Sequence, residues 1–438
     1  MAERCAIPYR SWHHWFDGLS THHRFEIFPG GKRVSYRSRS GAEELEKCIA
    51  DAGNHPTISF GQQDDPCQSI FRKFFTVFHM AMNTMDNKTS SSPSSANVSV
   101  TLTPNIPGWD TKALDLPKTT NSGPCYIVAK TDIDCLQLLH PDTLEPLVGA
   151  DYKSIDPHLD GTLSVAHSCR DKETSDFYNF SCKIGIQDRG QGWNTRSPEV
   201  QCQPFLLLPQ TPPFFCFHQL NAFDDPSTGD IVIDMSVYDD NSVLALLDLD
   251  NLRDPNTGNM AGKSQTITPA LSAFLQLPVV APSVYRRPYR YAYGTNKLDP
   301  KEYHTFSDGI IKLDMASPSP SPSSPHTKVW REPGHTPSEP IFVPRPDGKD
   351  EDDGVLLSVV LDKRAMRSSR VVIYAREMTE IAREKMGGVF PIGFHGVFCT
   401  SLAELIFGLL QFVYDLSSPH HCPLRMSEVR LQRLNTAS

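Results

Sequence analysis

Turn-forming residues interrupt this chain too often for it to build on long helices. Its 36 prolines and 26 glycines are spread along 438 residues rather than pooled. Short runs rich in β-branched and aromatic residues lie between them: Val34–Arg39, Asn97–Leu102, Asp230–Asp239, Val355–Asp362 and Arg370–Ala375. Turn clusters such as DDPSTGD (Asp224–Asp230) and EDDG (Glu351–Gly354) bound those runs. Helical periodicity is confined to Gly41–Gly53, Ser69–Met82 and Leu402–Leu416. The pattern predicts an all-β protein: a sandwich, barrel or propeller. No crisp internal repeat chooses among the three.

Composition narrows the function classes. A hydrophobic content of 39% supports a large core, and a net charge of −9 gives no bulk attraction to nucleic acid or anionic lipid. No apolar run reaches the roughly 18 residues of a membrane-spanning helix. The opening MAERCAIPYRSWHHWFDG has no secretory apolar segment. Eleven cysteines without a C-x-x-C pair read as reduced thiols of a cytoplasmic protein. The Ser/Pro-rich segments Thr89–Asn97 and Ala316–Thr327 read as mobile surface loops. The acidic run Asp347–Gly354 reads as a solvated loop, since it lacks the alternating ligand spacing of a calcium site.

Sixteen histidines are the candidate chemistry. His13, His14, His140, His158, His326, His335, His420 and His421 lie in polar, turn-like contexts. His167, His218 and His395 instead sit where an apolar strand meets a turn. A lone histidine in that setting is more often a hydrogen-bonded core residue than a ligand. Three of them favour a shared metal site, although any three strands of a sheet can look alike.

Longer segments add a resemblance. HHWFDGLSTHHRFEI, ISFGQQDDPCQSIFRKFF, VAKTDIDCLQLLHPDTLEPL, FHQLNAFDD, YRYAYG, SEPIFVPRPD, EDDGVLLSVVLD and FPIGFHG occur in one order between Trp12 and Phe398. Together they resemble the carotenoid cleavage oxygenases, which include retinal-pigment isomerases and stilbene-cleaving enzymes. The Ser/Pro insertions and the KTD segment are most similar to the fungal branch. The resemblance implies a seven-bladed β-propeller with a helical and loop cap over residues 1–398, followed by a tail, 399–438, unlike the family. It implies Fe(2+) held by four histidines, of which His167, His218 and His395 match. It implies that Glu339 and Glu351 accept hydrogen bonds from ligand histidines. A third such glutamate would fall at Lys130–Thr131, where there is no acid. Stilbene-cleaving members place a lysine there against a phenolic hydroxyl, so Lys130 reads either as a substrate-binding residue or as a structural lysine.

The implied reaction is cleavage of a polyene C=C bond by O2 to give aldehydes or ketones. The implied partners are an apolar polyene and O2, with monotopic membrane contact and no nucleic acid. Phe214–Phe217 and Arg72–Met82 read as tunnel wall, ordinary core or a membrane-dipping patch. Two departures stand out. No histidine occurs from Ser168 to Phe217, where the family carries its second ligand. That interval is expected to have lost its strands, and the strands ahead of WFDG are expected to be absent, leaving an incomplete propeller. Stilbenoid cleavage and a catalytically impaired propeller lacking one iron ligand therefore remain as alternatives.

Overall fold

A computed structural model describes residues 14–28, 33–52, 92–109, 116, 123–157, 159, 161, 163–170, 177–183, 189–196, 199–204, 215–229, 231–238, 244, 247–249, 275–298, 307–317, 324–390, 392–399, 404–411 and 427–431. Strands dominate, and among the described residues they form six sheets. β1 (Ser20–Ile27) and β2 (Val34–Ser40) share a sheet with β23 (Gly393–Cys399) and β24 (Glu404–Gln411), in the order β2-β1-β24-β23. β3 (Thr101–Pro104), β4 (Ile127–Lys130), β5 (Leu136–Leu139) and β6 (Pro146–Ala150) form a four-stranded meander. A five-stranded sheet contains β7 (Leu163–Ser164), β8 (Cys169–Arg170), β9 (Phe177–Lys183), β10 (Arg189–Arg196) and β11 (Glu199–Pro204). β12 (Phe215–Asp224) and β13 (Ile231–Tyr238) are joined by β25 (Ser427–Leu431). Four strands follow in order: β14 (Gln276–Val279), β15 (Tyr291–Asn296), β16 (Gly309–Asp314) and β17 (Lys328–Arg331). The last sheet holds β18 (His335–Pro337), β19 (Ile341–Pro344), β20 (Gly354–Asp362), β21 (Arg367–Tyr374) and β22 (Thr379–Lys385).

The period-two alternation of strand side chains explains how these sheets pack. In β4, Ile127 and Ala129 enter one core with Cys399 of β23, while Val128 enters another with Phe177 of β9. In β21, Val371 and Ile373 pack against Tyr293 and Ile310 of the β14–β17 sheet. Val372, between them, joins Phe25 of β1 and Phe398 of β23. Leu220 of β12 meets Ala292, Ile311 and Leu313. Successive sheets therefore pack face to face, in the order β12–β13–β25, β14–β17, β18–β22, the β1–β2–β23–β24 sheet, β3–β6 and β7–β11. The inner strands β4, β5 and β16 are buried along their whole length, whereas the outer strands β2 and β22 are half-buried or exposed throughout. Each fully buried Leu or Ile contributes roughly 1.5–3 kcal/mol by leaving water.

Several expected elements form where the sequence places them. The runs at 34–39, 231–238, 355–362 and 370–374 are strands, and α1 (Glu43–Ala52) occupies the first helical stretch. Its Leu45 and Ile49 are buried, and Glu43, Glu44 and Glu46 face the positive end of its dipole. The stretch Ser69–Met82 lies outside the described residues.

Three expectations need correction. Leu402–Leu416 carries a strand rather than a helix: β24 lies between β1 and β23 and bonds to both. An unbroken apolar run fits a central strand as well as a helix, and Gly408 disfavours the helix. The interval after Ser168 is not bare of strands, since β9, β10 and β11 pair there as an antiparallel meander. Residues 92–97 of the first Ser/Pro segment are tied down: Asn97 accepts a bond from the Ser20 amide at 2.9 Å and donates to the Gly18 carbonyl at 2.9 Å.

Candidate metal centre

Three sheets each bring one histidine to a common point. His167 lies between β7 and β8, His218 on β12 and His395 on β23. One nitrogen from each ring lies within 4.8 Å of the others. The ring centroids are separated by 4.3 Å for His167–His395, 5.2 Å for His218–His395 and 5.4 Å for His167–His218.

Local backbone irregularity aims two of the rings. β12 is bulged between Cys216 and His218, and β23 between Gly393 and His395. A bulge inserts one unpaired residue and turns the next side chain off the regular alternation. His167 is held by its loop: the Thr101 hydroxyl donates to the Ala166 carbonyl, and the Ser164 amide donates to the Asp132 carbonyl at 3.1 Å.

Glu339 lies against the ring of His395. Its Oε1 accepts from His395 Nδ1 at 2.9 Å and its Oε2 from the Gly396 amide at 2.7 Å. The carboxylate thus fixes the proton on Nδ1 and leaves Nε2 with a free lone pair. Glu339 is itself pinned to β23, because the neighbouring Ser338 hydroxyl accepts from the Gly393 amide at 2.9 Å.

Glu351 is placed elsewhere. Its two oxygens accept from the Arg290 amide at 3.1 and 2.9 Å and from the Tyr291 amide at 2.6 Å, at the start of β15. The structure therefore gives Glu351 a backbone-capping place rather than one beside a ligand histidine.

Lys130 is 1% exposed, and its ammonium donates to the Ser168 hydroxyl, next in sequence to His167. Burial pulls its pKa down to about 7.

One acidic residue escaped the sequence reading. Asp132, two residues after Lys130, keeps accessible surface although protein crowds its carboxylate. Burial raises its pKa, opposed by a hydrogen bond from the Ala166 backbone and by the charge of His395. Its signal was the third letter of KTD itself. His420 and His421 lie outside the described residues.

The donors suit a metal ion. Burial first, then the charge of neighbouring histidines, holds the pKa values of His167 and His218 well below the ordinary imidazole value. Both rings are therefore neutral at physiological pH, each with a lone pair to give. Three imidazole donors without a ligating carboxylate suit a divalent transition metal such as iron, zinc, copper or nickel.

Comparison with known proteins identifies the family. The family model described as retinal pigment epithelial membrane protein matches residues 3–203 and 195–400. A carotenoid dioxygenase of Neurospora crassa is 27% identical over 514 residues, covering 87% of this chain and 82% of that protein. A torulene dioxygenase of Gibberella fujikuroi is 24% identical, covering 88% of this chain and 84% of that protein. Among solved structures, a single-residue variant of the Synechocystis enzyme ACO superposes with a TM-score of 0.60 at 20% identity, covering 90% of this chain and 89% of that one. The chain belongs to the retinal pigment epithelial membrane protein family, that of the carotenoid oxygenases.

Proposed function

We propose that this protein is a non-haem iron(II) dioxygenase that cleaves a C=C bond of a carotenoid or apocarotenoid, giving aldehyde or ketone products. The observation that carries this reading is the convergence of His167, His218 and His395, within 4.8 Å, in a chain whose relatives include carotenoid and torulene dioxygenases. These three residues would hold the iron, with Glu339 fixing the proton of His395. Bound iron would activate O2 for addition across the double bond, so that both oxygen atoms end in the two carbonyl products. The protein's own part is to keep imidazoles neutral, aim them, and present an apolar, aromatic wall to a polyene.

The finer architecture is a β-propeller, incomplete relative to seven blades. Six sheets stacked face to face support it, as does the sheet in which β1–β2 meet β23–β24. So does an alignment with the Neurospora relative that runs over 514 residues, more than this chain possesses. Three imidazoles would hold iron less tightly than the four the family resemblance implies. The stilbenoid alternative depended on Lys130 reaching a phenol, and its buried ammonium does not favour that.

The test is iron content per chain after purification without air, followed by bleaching of a carotenoid under O2. Near-stoichiometric iron with bleaching is the expected result. An iron-free protein at micromolar iron supply would overturn the reading.

A further inference from the structure

The candidate centre leaves its histidines unequally restrained. The ring of His395 is bonded to Glu339, whereas among the described residues no hydrogen bond reaches the ring of His218, whose Nδ1 is buried without a partner. An imidazole turns about two side-chain torsions, so something else must hold it in aim. Packing at the bulges supplies that restraint. The residue left unpaired at each bulge is a phenylalanine, Phe217 before His218 and Phe394 before His395. Both rings join one apolar cluster with Trp15, Phe16, Leu247 and Leu249. Phe16 stands edge-on to both, its centroid 5.7 Å from Phe217 and 6.1 Å from Phe394. Trp15 packs on Phe394 at 5.2 Å.

The turn carrying Phe16 is stiff. His14 Nδ1 accepts from the Phe16 amide at 3.1 Å, and its Nε2 donates to the Leu244 carbonyl at 2.8 Å, which together fix one neutral tautomer. Asp17 accepts from the His14 amide at 3.1 Å, and the Trp15 amide donates to the Leu247 carbonyl at 2.9 Å. The turn Trp15–Asp17 is thus docked at both its side-chain cap and its backbone.

We propose that Phe16 is a positioning residue: seated between Phe217 and Phe394, it sets the two bulged strands relative to each other and so fixes where the rings of His218 and His395 meet. The proposal rests on the metal-binding reading above.

Cobalt(II) titration without air tests it, because the visible d–d bands of cobalt report ligand geometry while the midpoint reports affinity. Wild type is expected to bind cobalt with resolved bands. Phe16→Ala should bind about tenfold more weakly with shifted bands, within the range seen when the supports of metal ligands are removed. Phe16→Leu should fall between them. Phe342→Leu, in the core between the β14–β17 and β18–β22 sheets, should lower the melting temperature but keep wild-type affinity and bands. Wild-type affinity and bands in both Phe16 variants would overturn the proposal, as would an equal band shift in Phe342→Leu. Should Phe16→Ala not fold, Phe16→Leu decides alone. A wild-type protein that takes up no cobalt would instead defeat the metal reading itself.

Discussion

His22 and His23 on β1 are more deeply buried than the three candidate ligands, and they look as well suited to chemistry if burial is the only measure. Both are essentially sealed, at 0% and 1% exposure. Burial pulls their pKa values to about 4 and about 3, as it also depresses those of His167 and His218. The difference lies in direction. Neighbours on a strand point to opposite faces, so His22 meets Gln137 Oε1 at 3.1 Å while His23 meets the Tyr36 hydroxyl at 2.6 Å. The triad comes from three separate sheets and aims at one point. Burial and a lowered pKa therefore mark a neutral histidine, and only convergence marks a ligand.

Single substitutions should separate the two groups most sharply. His395→Ala should cut iron affinity by roughly a hundredfold or more, since it removes a donor outright and leaves Glu339 without its partner. His22→Ala should leave iron content unchanged but cost on the order of 2 kcal/mol of stability, as a buried and bonded ring is lost. Metal analysis of both variants, beside denaturant melts, checks this. Equal iron loss in the two would erase the distinction.

Acid should expose the structural pair next. His22 is neutral in the folded protein down to about pH 4, whereas in the unfolded chain it titrates near 6.5. Between those values the unfolded state binds more protons, so stability falls as pH drops and is flat above about 6.5. For His22 alone the loss approaches on the order of 3 kcal/mol by pH 4. Unfolding free energies measured from pH 7 to pH 4.5 should show that slope, and a flat profile would contradict its burial as a neutral ring.

How much of this could be read from the sequence follows from the range of the forces involved. Local rules located β2, β13, β20, β21 and α1, because alternation, turn residues and acidic first turns act within a few positions. They failed at β24, where one of the bonding partners that make an apolar run a strand is β1, far back along the chain. Local context, an apolar strand meeting a turn, set the three histidines apart but left a core role and a ligand role open; the ordered resemblance of their segments to a family is what favoured the ligand reading. The bulges at Phe217 and Phe394 left no signal, since a bulge is defined by its partner strand. Asp132 was overlooked because the expected acid was sought at a fixed position, while the fold brings the next carboxylate beside the Ala166 backbone.

The smallest effect sharpens the comparison within the acids. Glu339 and Glu351 carried the same expected role, and the structure assigns them different partners. Glu339→Gln keeps the shape but removes the charge that favours the proton on His395 Nδ1, and a flipped amide would point a donor at that ring. A loss of about tenfold in iron affinity with little change in melting temperature is expected. Glu351→Gln retains one carbonyl acceptor for the Arg290 and Tyr291 amides at the start of β15. It should lower stability by about 1 kcal/mol and leave iron affinity untouched. Anaerobic iron titration of the two variants side by side decides between these roles. Weaker iron binding in Glu351→Gln would mean that the β15 cap reaches the triad through the stacked sheets, and that the centre is less local than the geometry of Glu339 suggests.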